Sequence, residues 1–109
     1  MTVNEFAALS GMKVIALPHP EKEICGAYVG DLLSWVMGRA ESGNLWITIM
    51  SNLNVVAVST LADISSVILA EGVILDPEVL MVAKEKGVNV LSTELSAYEA
   101  AKAVAGIIP

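Results

Sequence analysis

The sequence predicts an α/β fold in which helices flank a mixed, mostly parallel β-sheet. Short apolar segments rich in β-branched residues alternate with helical segments in the C-terminal half, which is the pattern of βαβ units. Several of these segments lack polar alternation, as strands covered on both faces do. The chain has 109 residues, of which 55% are hydrophobic and 17% charged. We therefore expect a single domain spanning residues 1–109.

The N-terminal part predicts a short helix followed by two strands. Thr2 and Glu5 have the spacing of a capping box, in which a hydroxyl and a carboxylate each accept a hydrogen bond from the other residue's amide. Gly11 is suited to end that helix in a left-handed conformation. The predicted strands are residues 14–17 and 24–29.

The segment that follows, residues 26–38, contains an unusually apolar helix. Gly30 and Asp31 predict a tight turn, with Asp31 as the helix N-cap. A helix that is apolar on nearly every side must be covered on both sides, and a domain this small has little protein to cover it. We therefore predict a homodimer. The expected interface residues are Leu32, Leu33, Trp35, Val36, Met37 and Trp46.

The remaining elements are predicted from apolar segments and capping residues. Asp76 as N-cap with Pro77 in the first turn opens one helix, and Ser96 with Glu99 opens another that extends to about Ala105. A single helical turn is expected at residues 61–65. The predicted strands are residues 45–50, 55–58, 67–69 and 88–91.

Charge and cysteine content narrow the range of partners and compartments. The formal net charge is −6, and the six basic residues are scattered. No basic cluster is present for nucleic acid or for an anionic membrane. A lone cysteine, Cys25, cannot form an internal disulfide, which favours the cytoplasm. The N-terminus has no signal-peptide pattern, and polar residues interrupt the apolar region 55–75, so no membrane span is expected.

Motifs for catalysis or metal binding are missing. Gly38 and Gly43 have the spacing of a phosphate-binding P-loop, but Asn44 stands where that loop needs lysine. The segment also follows a predicted helix, so we interpret it as a helix end and a turn. With His19 as the only histidine and Cys25 as the only cysteine, no metal site and no cofactor are expected. We expect the protein not to be an enzyme.

Two segments could contact a small ligand. Gly30 and Asp31 begin the apolar helix, where free amides are available, and Ser34 lies in its first turn. Asn52 and Asn54 belong to a polar loop after a strand, and ligands of parallel sheets bind at the carboxyl ends of strands. Turn formation and helix capping are the structural alternatives for all five residues.

The motifs together resemble the DRTGG domain family. The resemblance rests on residues 26–38, 46–49, 52–58 and 71–72, and on 91–93 with 96–99, in that order. The pentapeptide that gives the family its name is absent, and residues 23–27 are its nearest counterpart.

DRTGG domains are similar to the N-terminal domain of HPr kinase/phosphorylase, whose kinase chemistry lies in a separate domain. They also occur in phosphotransacetylases and between the CBS modules of some pyrophosphatases. The resemblance implies an α/β regulatory or assembly module that associates with itself. It leaves open a protein partner or a sensor for a small ligand such as an adenine nucleotide. An enzyme related to HPr kinase is the remaining alternative.

Overall fold

Five strands form one sheet in the order β1-β5-β4-β3-β2 in the computed structural model, which describes all residues from 1 to 109. The strands are β1 (Lys13–Ala16), β2 (Ala27–Val29), β3 (Leu45–Thr48), β4 (Ser66–Leu69) and β5 (Val90–Ser92). Strands β2 to β5 run parallel, and β1 is antiparallel to β5. The predicted mixed, mostly parallel sheet is therefore confirmed.

Helices cover both faces of the sheet. They are α1 (Val3–Ser10), α2 (Leu33–Arg39), α3 (Leu53–Leu61), α4 (Pro77–Glu85) and α5 (Ala97–Ile107). Helices α2, α3 and α4 lie over one face, in a core that includes Val36, Trp46 and Val67. Helices α1 and α5 lie over the other face, around Phe6 and Ile68. The central strands β3 and β4 are buried along their whole length, which explains their lack of polar alternation.

Local capping signals set the boundaries of α1, α4 and α5. Both hydrogen bonds of the capping box at Thr2 are present, and Gly11 ends α1 with a φ of 69°. Asp76 precedes Pro77 at the start of α4, although its side chain accepts no capping hydrogen bond. Ser96 accepts a hydrogen bond from the amide of Glu99 at the start of α5.

The segment 55–58 is not the strand that its β-branched residues predict. It lies inside α3, and the single turn predicted at residues 61–65 is replaced by the end of this helix and a turn. Parallel strands such as β3 and β4 need a crossover of a dozen or more residues, usually helical, and only residues 49–65 are available for it. Topology therefore overrides the β propensity of the valines.

Strand β2 is shorter than the strand predicted at residues 24–29. Gly26 has a φ of 72°, a left-handed conformation that interrupts an extended strand. Residues before it pair elsewhere: the amide of Ile24 donates to the carbonyl of Met1 (2.9 Å) and that of Cys25 to the carbonyl of Gly43 (2.8 Å). Strand β2 therefore forms a three-residue edge of the sheet.

Candidate functional site

The carboxyl ends of β2 and β3 meet at Asp31. Its Oδ1 accepts hydrogen bonds from the Thr48 hydroxyl (2.7 Å) and from the Ile49 amide (2.9 Å). The N-cap of α2 is Leu32, without a side-chain cap, so the prediction that Asp31 caps this helix is wrong. The carboxylate instead joins the loop after β2 to the loop after β3, while its Oδ2 makes no hydrogen bond within the protein.

Gly30 is fixed by two hydrogen bonds to β3. Its carbonyl accepts from Nε1 of Trp46 (2.8 Å), and its amide donates to the carbonyl of Ile47 (3.1 Å). Trp46 is completely buried, so in this fold it is a core residue and does not contribute to the exposed surface proposed as an interface. The turn at Gly30 is therefore rigidly placed beside Asp31.

The polar residues predicted for this edge lie on two neighbouring helices. Ser34 is exposed in the first turn of α2. Asn52 is the N-cap of α3, where its Oδ1 accepts from the Asn54 amide (3.0 Å), and both asparagines are exposed. Helices α2 and α3 pack side by side. The asparagine loop therefore has the structural duty of helix capping while it stays open to solvent.

Thr48 is the site residue that sequence reasoning missed. It is buried, its hydroxyl donates to Asp31, and the same oxygen accepts from the Met50 amide (3.1 Å). A lone hydroxyl residue at the end of an apolar strand was the available signal, because a buried polar group requires a partner.

The surface of α2 is largely apolar, and the rest of the chain covers only part of it. Val36 is completely buried, and Leu33 packs against the core. Leu32, Trp35 and Met37 remain 60%, 52% and 41% exposed. The Arg39 guanidinium lies 3.7 Å from the centre of the Trp35 ring and covers one of its faces.

The segment with P-loop spacing lies at the amino ends of the parallel strands, opposite to the carboxyl ends where Asp31 lies. Helix α2 ends at Arg39, and a turn containing Gly43 leads into β3, which confirms the interpretation as a helix end and a turn. Ser42 of this segment donates a hydrogen bond to the carboxylate of Asp63 in the turn after α3, and Nζ of Lys22 lies 3.0 Å from Oδ1 of the same carboxylate. The Ser42 hydrogen bond, together with Lys22, lowers the pKa of Asp63 below its usual value.

No helix combines the length and the apolarity needed to cross a membrane, and the longest, α5, has 11 residues. His, Cys, Asp and Glu side chains do not gather in groups of three or more that could hold a metal ion.

The fold and the two loops at its carboxyl edge define a three-layer α/β domain with a polar, Asp31-centred turn beside an apolar helix. Residues 24–107 match the model of the DRTGG domain. The chain therefore belongs to the DRTGG domain family, and the resemblance seen in its motifs is confirmed.

A solved structure shares the fold: a crystal structure of the CBS and DRTGG domains of the regulatory region of Clostridium perfringens pyrophosphatase, complexed with its activator, diadenosine tetraphosphate. The TM-score is 0.73 at 13% sequence identity. The match covers 99% of this chain and 47% of that one, so the chain spans about half the length of its neighbour. The comparison with curated proteins found no match.

Proposed function

We propose that residues 1–109 act as a non-catalytic regulatory domain that assembles as a homodimer through α2. The exposed apolar side chains of Leu32, Trp35 and Met37 carry this proposal. Aromatic residues, methionine and arginine are enriched in interface cores, and Arg39 stacked on Trp35 fits that composition. The lone cysteine, Cys25, is consistent with action in the cytoplasm.

We do not propose that the chain catalyses phosphoryl transfer as HPr kinase does. A P-loop needs a lysine at the position of Asn44, and its backbone amides must face the phosphates from a strand-to-helix turn. Here the segment runs from a helix into a strand.

Trp35→Glu is expected to convert the dimer to a monomer. The substitution removes the aromatic ring and places a carboxylate in the middle of the apolar surface, where its desolvation on dimerisation is costly even with Arg39 one turn away. Because Trp35 is half-exposed, the folded monomer should survive the change. Light scattering coupled to size-exclusion chromatography, at one protein concentration for all variants, measures the mass directly.

Tyr98→Glu is the matched control for this experiment. Tyr98 is exposed in the first turn of α5, on the other face of the sheet. A glutamate there is compatible with the helix dipole, so this variant should remain dimeric. A wild-type protein that elutes as a monomer, or a Trp35→Glu protein that stays dimeric, would contradict the proposal.

A second candidate function is the sensing of an adenine nucleotide at the Asp31 turn. The structural neighbour is complexed with diadenosine tetraphosphate, which makes this ligand class the first to test. The free Oδ2 of Asp31 could accept a hydrogen bond from a ribose hydroxyl or an adenine amino group. Ser34, Asn52 and Asn54 supply exposed polar groups on the adjoining helices.

Diadenosine tetraphosphate and ATP are expected to raise the melting temperature. A ligand at ten times its Kd stabilises the folded state by about 1.4 kcal/mol, or several degrees for a domain of this size. Asp31→Asn should keep the acceptor oxygen for Thr48 and Ile49 while it removes Oδ2, so it should diminish the shift. An unchanged melting temperature at millimolar nucleotide would exclude the sensor and leave the dimer proposal intact.

A further inference from the structure

The solvent side of helix α3 is mostly apolar, although two of its five exposed residues are polar. The buried residues of the helix, which include Val55 and Val58, pack on the sheet. On the solvent side, Leu53 and Leu61 are 54% and 72% exposed, and Ala57 lies between them. Contiguous apolar surface of this kind is one of the features of a binding surface.

The apolar strip of Leu53, Ala57 and Leu61 lines one side of a groove between α3 and α4. The groove has a volume of about 340 Å³. Ala57 is short, which leaves space between the larger side chains at the two ends of α3. The lining residues are Leu53, Val56, Ala57, Thr60, Leu61, Val82 and Lys86.

Only one lining side chain, that of Lys86, offers a free hydrogen-bond donor to an occupant. The hydroxyl of Thr60 already donates to the carbonyl of Val56 (3.0 Å), one turn earlier in the same helix. Lys86, directly after α4, is exposed and takes part in none of the ion pairs of the chain, which involve the N-terminus, His19 and Lys22. The groove is therefore an open, mostly apolar surface with a single cation that forms no ion pair within the chain.

We infer that this groove binds an amphipathic anion, namely a medium-chain aliphatic carboxylate. The carboxylate pairs with the Lys86 ammonium, and the chain lies along Ala57 between Leu53 and Leu61. The volume is at the lower end of the range for small-molecule sites, which suits one short chain and not a larger ligand.

Charge favours such a ligand over a second copy of the chain. The segment of residues 42–62, which contains α3, has no charged residue. A two-fold related copy packed with its α3 against this α3 would cover the groove with an uncharged helix, and that helix supplies no carboxylate to the ammonium of Lys86. A carboxylate ligand carries its own negative charge and completes the pair.

Octanoate, titrated below its micelle concentration, is the probe, and amide chemical shifts in a ¹H–¹⁵N spectrum are the readout. We expect saturable shifts confined to α3 and α4, with octanoate bound more tightly than octanol. Lys86→Gln should weaken octanoate binding about fivefold and leave octanol binding unchanged. Lys84→Gln, an exposed lysine of α4 outside the groove, is the matched control and should bind as the wild type does.

Ala57→Leu provides a second variant that fills the groove from an exposed position, so the fold should tolerate it, and it should abolish binding. Equal affinity for octanoate and octanol, shifts outside α3 and α4, or no binding would overturn the inference. Shifts of α3 amides on dilution of the protein alone would overturn it too, because a second copy would then occupy the groove. The dilution series is run on the Trp35→Glu variant, because α2 packs beside α3 and dissociation of a dimer formed through α2 would itself shift the α3 amides.

Discussion

Asn89→Ala is expected to lower the free energy of unfolding by about 3 kcal/mol. Asn89 is completely buried, and its side chain makes three hydrogen bonds. Oδ1 accepts from the His19 amide (2.9 Å), while Nδ2 donates to the carbonyls of His19 (2.7 Å) and Ser65 (3.0 Å). Removing a buried partner costs about 1–3 kcal/mol for each polar group left unsatisfied.

The expected loss of unfolding free energy is smaller than the full cost of three unsatisfied groups, because one of the three groups keeps another hydrogen-bond partner. The His19 carbonyl also accepts from the Lys22 amide (3.2 Å), so the His19 amide and the Ser65 carbonyl bear the main cost. The amide group of Asn89 bonds both the backbone N–H and the carbonyl of His19, as the backbone of a neighbouring strand would. These bonds hold the loop between β1 and β2 against the sheet. The variant should therefore also be cleaved faster by trypsin at Lys22.

Urea unfolding followed by circular dichroism measures this effect at one fixed protein concentration, since a dimer's apparent stability depends on concentration. Asn4→Ala is the matched control, because Asn4 is exposed on α1 and its side chain makes no hydrogen bond. It should change the free energy of unfolding by less than about 0.5 kcal/mol. An Asn89→Ala protein as stable as the control would refute the assigned role.

Trp46→Phe is the second large effect that we expect, a loss of about 2–3 kcal/mol. The substitution removes the indole N–H that donates to the Gly30 carbonyl, and it leaves a cavity in a completely buried position. Because Gly30 adjoins Asp31, the same variant should loosen the turn at the candidate ligand site.

Trp35→Phe is the control for this prediction, as the same substitution at a half-exposed position. Within one chain it weakens only the stacking of Arg39 on the ring, worth about 0.5–1 kcal/mol at an exposed site. In this variant the emission of Trp46 alone should resist quenching by acrylamide. Equal unfolding midpoints for the two variants, or ready quenching of Trp46, would contradict the core position.

The parts of the fold that sequence predicts well depend on residues close together in the chain. Thr2 with Glu5 and Ser96 with Glu99 each operate over three residues, so the helix starts follow from sequence alone. The strands around Trp46 and Ile68 are also predicted, because apolar β-branched segments of this length suit a buried parallel sheet.

The segment of residues 55–58 is one where the local sequence pattern fails to predict the conformation. A short apolar segment covered by core on one side and left apolar on the other has no periodicity that distinguishes a helix from a strand. Its conformation follows from the need to connect two parallel strands through a limited length of chain. That requirement is visible only once β3 and β4 are placed side by side.

The candidate site divides in the same way. Gly30, Asp31 and the asparagine loop were expected at the carboxyl edge of the sheet, and the structure places them there. The role of Asp31 was not predictable, because its partners Thr48 and Ile49 lie 17 and 18 residues away in sequence. Trp46, predicted at an interface, is buried because α2 and the turn at Gly30 cover it.

The sequence by itself determined the α/β class, the starts of α1, α4 and α5, the family and an apolar α2, since each depends on composition, short-range spacing or motif order. Only the tertiary structure decided that residues 53–61 are helical, that Asp31 joins two loops, and that Asn89 holds a distant loop. Those facts depend on hydrogen bonds and packing between segments far apart in the chain, which no local pattern encodes.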